Sequence, residues 1–345
     1  MQKKDAFVPC RMTDRQTSKQ DHAISYIRMI AMVMIVACHF CQFYGNELAY
    51  WLNVGVQIFF AVSGFLYGAK DIDDPVSFIG KQFKKILVPY FSFLLPVTLL
   101  YLVFARESFS VTSFVKAVFC VGTMEGLGHL WFIGYILFCY LITPYLFWLR
   151  KKAEGLSPFR MTLVYIALLL GVVILGTLLD SYFHPARICC YLIGFILSAY
   201  SKRFGKSALK WMSLLFGIPA LAINAARIFI KYFRCPAKGT LAYKLFFASE
   251  PYMHLLLGIA LFLILYLLLK KAKPCALVRF SDKYSFTIYI VHLLFIISPF
   301  RTMDLTPLWP LSWLLTVALI VLGGVLLHIV STFLSKNVFT KEIKH

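Results

Sequence analysis

Apolar runs broken by short polar stretches set the rhythm of this chain. Ten stand out, near residues 24–43, 51–68, 86–105, 129–148, 161–179, 187–200, 211–230, 251–269, 284–300 and 310–334. Most approach the roughly 20 residues that carry a helix across a bilayer's hydrocarbon core. The pattern predicts an all-α integral membrane protein, a polytopic bundle of about ten transmembrane helices in a single domain over 24–334. Polar tails at 1–23 and 335–345 flank it, and no cleavable signal peptide is expected ahead of the first span. Residues 111–128 are too short and too interrupted by glycine to cross, so they are expected to lie at the interface or to re-enter.

Polar residues inside these runs change the picture, because ionisable groups are costly in lipid and tend to face the protein interior. Arg28 and His39 both lie in the first span, eleven residues apart. Eleven helical steps leave a rotation of only about 20°, so the two share a face, about 16 Å apart along the axis. The plainer account is an arginine snorkelling from a helix end and a packed, hydrogen-bonded histidine. In the ninth span Ser285, Tyr289 and His292 recur at four and three residues, a polar stripe expected to line a pocket. His129 and Trp131 open the fourth span, with Glu125 just before them.

Lys81, Lys84 and Lys85 share one helical face ahead of the third span. Charge alone makes them an orientation signal drawn to anionic headgroups, or a cradle for a phosphorylated cofactor. Gly64 and Gly68 form a GxxxG that lets another helix approach closely. Ser63 beside them reads as a packing residue, since no nucleophile elbow surrounds it. Arg227 and Asn224 in the seventh span are explained by snorkelling, and His328 in the tenth as structural.

Composition agrees with the pattern. The 345 residues are 60% hydrophobic and 14% charged, against about 25% charged in soluble domains. The net charge of +20 raises the question of nucleic acid. Its distribution answers that question: with the N-terminus inside, cytoplasmic segments hold 25 Lys and Arg and external ones 7, with Arg28, Arg187 and Arg227 inside spans. This is the positive-inside asymmetry, and it places both termini in the cytoplasm. Charge scattered over separate loops does not make a nucleic-acid face. The nine cysteines suggest no disulfide framework, and no metal is expected. No internal repeat is visible, which weighs against a secondary transporter.

Taken together, these marks resemble the membrane acyltransferase-3 family, ten-span acetyl- and acyltransferases that modify bacterial glycans. The resemblance covers 24–148 and 281–300. It rests on Arg28 and His39, NVGVQIFFAVSGF at 53–65, KKILVPYF at 84–91, GHLWFIGYIL at 128–137 and SFTIYIVH at 285–292. The chain departs from many members in carrying Lys81 and Lys84 in place of arginines and Phe286 in place of a tyrosine. Gly134 and Tyr135 stand where long members have a glutamate. It looks closer to the shorter subgroup without an extra soluble domain.

The resemblance implies an enzyme of the bacterial inner membrane that uses acyl-CoA, expected to be acetyl-CoA, as co-substrate without a metal. The donor's phosphates would dock near Arg28, Lys81, Lys84 and Lys85, and its arm would rise along the first span to His39. There His39 would act as general base toward a hydroxyl of a glycan or lipid-linked sugar. The carboxylate orienting it would come from a helix end, with Glu47, Glu125, Asp180 and Glu250 as candidates and Glu125 put forward as the catalytic partner. Ser63, His129, Trp131, Ser285, Tyr289 and His292 would line the pocket. The alternative is a glycan or lipid-linked sugar transporter, which would move its cargo without consuming a thioester. Oligomeric state and the acceptor's identity are not written in the sequence.

Overall fold

In a computed structural model, which describes residues 22–178, 184–205 and 207–339, the chain is helical throughout, with no strand among the described residues. In order the helices are α1 (His22–Phe43), α2 (Leu48–Leu52), α3 (Gly55–Gly68), α4 (Pro75–Phe104), α5 (Val111–Val118), α6 (Trp131–Glu154) and α7 (Pro158–Leu178). They continue with α8 (Pro185–Phe204), α9 (Ser207–Phe233), α10 (Leu241–Ala248), α11 (Glu250–Leu269), α12 (Ala276–Ile296) and α13 (Trp309–Phe339). Among the described residues eight segments are long and apolar enough to cross a membrane; α2–α3 and α10–α11 each count as one.

The remaining two of the expected ten are α8 and α12. Charge lowers their apolar content: Arg187, Lys202 and Arg203 on α8, and Arg279, Asp282 and Lys283 on α12. Yet most residues of both are buried. A helix screened from lipid by its neighbours tolerates polar residues that a lipid-facing helix does not. By contrast α7 and α9 are apolar and mostly exposed on the rim.

The first close seam is between α3 and α8. A Cβ built on Gly64 would stand 1.9 Å from the Tyr191 carbonyl oxygen, and one on Gly68 2.2 Å from that of Phe195. From the other side, a Cβ on Gly194 would meet the Ala61 carbonyl oxygen at 2.1 Å. Glycine here lets two backbones touch, as the GxxxG spacing predicts.

α4 starts eleven residues before the apolar run it carries. Asp74 caps it by accepting from the Ser77 N–H at 3.1 Å, and Pro75 occupies the first turn, where its missing N–H matters least. Lys81, Lys84 and Lys85 therefore stand on the helix itself.

Beyond α4 the chain re-enters. The Tyr90 hydroxyl donates to the Ala117 carbonyl at 2.7 Å, and Tyr90 lies fourteen residues, about 21 Å, from the end of α4. α5 and its flanks thus run alongside the bundle, and an eight-residue helix is far too short to cross it. At the end where α3 and α6 finish, Arg150 is buried. It donates to the Gly68 carbonyl at 2.7 Å and to Asp71, tying the two helix ends together.

Candidate active site

The site grows from two helices that run in the same direction. On α1 the order is Arg28 then His39; on α12 it is Asp282 then His292. Arg28 Nη1 lies 3.3 Å from Asp282 Oδ1, and the Ser25 hydroxyl donates to the other carboxylate oxygen. About 16 Å higher, the His39 and His292 rings stand 5.1 Å apart. Eleven residues on one helix and ten on the other cover nearly the same rise, so the two polar pairs stay in register. The shared face expected of Arg28 and His39 is the face α1 turns to α12.

His292 extends the upper pair into a cluster, because the His129 ring, just ahead of α6, lies 4.6 Å from it. His129 and His292 are buried, and each meets one carbonyl: His129 Nε2 that of Ile290 at 2.9 Å, His292 Nδ1 that of Tyr289. A carbonyl only accepts, so those nitrogens carry the protons. The remaining nitrogens, His129 Nδ1 and His292 Nε2, have no hydrogen-bond partner. His39 Nδ1 lies 2.6 Å from Gln42 Oε1. With the amide oxygen assigned to face the ring, Nδ1 holds the proton and Nε2 keeps a lone pair.

Between the two pairs lies a cavity of about 100 Å³. Arg28 and Lys85 stand at its lower end, and Ser63, Tyr67, Tyr140 and Ser285 are in its walls. The Ser285 hydroxyl is buried without a hydrogen bond. Ile35, Phe132 and Tyr289 close the upper end, the last two with ring centroids 5.3 Å apart. The cavity therefore stops one helical turn short of His39. Lys81 is exposed and Lys84 half-buried, and neither lines it.

On the other side of α6 a wider cavity of about 630 Å³ is lined by Trp131, Tyr135, Cys120, His184 and Arg187. The Arg187 guanidinium lies 3.5 Å over the Trp131 ring, a cation–π contact. Trp131 thus holds a cation at the wall of this cavity rather than lining the one above Arg28. Gly134 also finds its reason here, since a Cβ would stand 2.1 Å from the Cys120 carbonyl oxygen. No side chain fits at that position, a glutamate included.

Several expectations need correction. Among the described residues no carboxylate orients His39; Gln42, one turn along the same helix, occupies its Nδ1 side. Glu125 is exposed, and the contact at this residue runs from the Tyr101 hydroxyl to its backbone carbonyl at 2.6 Å. Glu47 pairs with Lys231 at 2.9 Å and accepts from Tyr232, which together hold its carboxyl below the usual range. Glu250 pairs with Arg227 at 2.8 Å, while Asp180 lies outside the described residues. Arg227 does not snorkel: it is buried and also donates to the Phe246 carbonyl. Asp282, the acid that does reach the site, lies just ahead of the ninth span expected over 284–300. It sits three residues below Ser285 and continues the stripe by one turn.

Cys38 and Cys41 bracket His39 as a Cys-x-x-Cys pair of free thiols, and Cys38 donates to the Ala49 carbonyl. Among the described residues no group of three or more His, Cys, Asp or Glu is placed to hold a metal ion.

A helical bundle with a basic entrance, a buried polar seam and a cluster of imidazoles suits proton transfer at a site fed from one end. Comparison with known proteins gives no match among curated proteins or among solved structures. One family model does match: that of the acyltransferase domain, acyltransferase-3, over residues 21–330, nearly the whole chain. The chain therefore belongs to the acyltransferase-3 family, as a multi-pass membrane acyltransferase.

Proposed function

We propose that the protein is a membrane O-acyltransferase that takes an acyl group, acetyl in the simplest case, from cytoplasmic acyl-CoA to a hydroxyl of a cell-surface or lipid-linked glycan. The observation that carries this reading is the register of the α1–α12 seam, cation below and imidazole above, with a cavity rising from the cation. The excess of Lys and Arg on the loops at the Arg28 end supports a cytoplasmic face there.

Arg28 and Lys85 are placed to take the donor's phosphates, Arg28 sharing its charge between them and Asp282. The pantetheine arm is longer than the present cavity. Its arrival requires Tyr289 and Phe132 to swing away from Ile35, which joins the cavity to His39. In the reaction His39 Nε2 takes the proton of the acceptor hydroxyl while its oxygen bonds to the thioester carbonyl carbon. The carbon–sulfur bond then breaks, and the CoA thiolate leaves with the proton from the imidazolium. Gln42 keeps Nδ1 protonated throughout, so the basic nitrogen faces the substrate. The buried Ser285 hydroxyl, seven residues and about 10 Å below His292, offers a hydrogen bond to the pantetheine arm on its way to His39. The Tyr289 hydroxyl is not free to stabilise the charge that develops on the carbonyl oxygen, since it donates to the His129 carbonyl at 2.6 Å.

His39→Ala is the direct test. In nanodiscs, CoA release in the presence of glycan is expected to fall about 10²–10⁴-fold at an unchanged Tm. Turnover within threefold of wild type would remove His39 from the chemistry. A wild-type protein that carries glycan but releases no CoA would favour the transporter.

A further inference from the structure

At the His39 end of the bundle, away from the histidine cluster, α2, α9, α10 and α11 enclose a pocket of about 210 Å³. We propose that this pocket binds an uncharged, polyhydroxylated group, a sugar ring of the acceptor glycan that is not itself acylated. The proposal rests on the acyl-transfer reading for the ligand's source, and on the pocket's own chemistry for its class.

Three features define that chemistry. The walls are aromatic, with Tyr50 and Trp51 from α2 facing Phe246 from α10. Flat apolar faces suit the C–H faces of a pyranose. His254 backs Tyr50 with ring centroids 4.3 Å apart, which fixes that wall. The charges cancel in pairs: Arg227 with Glu250 at 2.8 Å and Lys231 with Glu47 at 2.9 Å. An anion gains no net attraction in such a pocket, whereas hydroxyl groups find both donors and acceptors.

The last feature is an acceptor left open. Asn224 is only 5% exposed and lines the pocket. Its amide nitrogen donates to the Ala220 carbonyl at 2.8 Å, and its Oδ1 is buried with no partner. A buried polar atom without a partner costs free energy, and a ligand hydroxyl donating to it recovers that loss. The pocket is also coupled to the chemistry. α2 follows directly from α1, and Cys38, the residue before His39, donates to the Ala49 carbonyl of α2 at 3.2 Å. A ring held by Trp51 and Asn224 anchors the glycan on the turn next to the base.

The test uses full-length protein in nanodiscs and de-O-acylated glycan released from the envelope of the cells that make it. Binding is read by tryptophan fluorescence or thermophoresis. Wild type and His39→Ala are expected to bind alike. Asn224→Leu and Trp51→Ala, on different helices and checked for an unchanged Tm, are expected to bind at least tenfold more weakly. Equal binding by both variants, or no binding by wild type, overturns the proposal. So does displacement of the glycan by inorganic phosphate or by phosphatidylethanolamine vesicles, because either marks a headgroup site. Glycan binding by a wild-type protein that releases no CoA would sink acyl transfer and leave the pocket standing.

Discussion

The seam between α3 and α8 is closed by removing side chains, while the seam between α1 and α12 is held apart by side chains that carry charge or a lone pair. Both are buried and cross the same bundle. In lipid neither can be driven together by apolar burial, since the surrounding tails are as apolar as the helix faces. The first seam answers with glycine and backbone contact. The second answers with Arg28–Asp282, His39–His292 and a cavity between them. One region fixes the bundle so that the other can stay imperfectly filled, which a donor arm requires.

Breaking the closed seam has the largest expected effect. Gly64→Leu adds a branched side chain where even a Cβ would lie 1.9 Å from a backbone oxygen, and overpacking of this kind against unyielding backbone exceeds the usual cost of about 1–3 kcal/mol. No monodisperse protein should survive size-exclusion chromatography; wild-type behaviour would show that the helices do not touch there.

The open seam should fail in function while keeping its fold. Gln42→Leu leaves His39 without its Nδ1 acceptor, and kcat is expected to drop about tenfold or more with an unchanged Tm and donor KM. Gln42→Glu, which restores an acceptor in place, should recover most of the loss. Failure of that rescue would deny the positioning role.

A smaller effect is expected at the entrance. Asp282→Asn removes a negative charge beside the site of anionic phosphates and releases Arg28 from its ion pair, so the KM for acyl-CoA should fall about threefold and depend more on salt. A rise in KM would instead make Asp282 the brace that aims Arg28.

The weakest lever is Asp71. Arg150 holds its carboxyl below the ordinary range by a hydrogen bond, and Lys202 and Lys151 add to this. A depressed folded value means stabilisation that is complete above the unfolded value near pH 4 and is lost as pH falls through the folded value. The Tm difference between wild type and Asp71→Asn should amount to about one or two degrees at pH 7 and shrink toward pH 3. A difference that grows with acid would contradict the sign.

The spacing of residues along single helices was readable from the sequence, and what they meet was less so. Eleven residues between Arg28 and His39 put both on one face, and the 64/68 glycines announced a close approach. Neither pattern names the opposite helix, because α3 and α8 lie more than 100 residues apart and hydropathy does not encode pairing. Two partners were legible. Gln42 sits at i+3 from His39, and an amide holds Nδ1 as well as a carboxylate would. Asp282 extends the 285/289/292 stripe by one turn beyond the apolar run that begins at 284. The aromatic pocket around Asn224 needed tertiary structure, since its walls come from four separate helices.

The buried placement of α8 and α12 has a consequence for how the protein is made. Neither would partition from the translocon into bare lipid with its charges unmet, so each must wait for a neighbour already delivered. Synthesis order provides this: α3 emerges before α8 and α1 before α12. The N-terminal helices thus serve as an insertion template, and a chain whose α1 has lost Arg28 meets its first difficulty at the ribosome, when Asp282 arrives and the guanidinium it pairs with is missing.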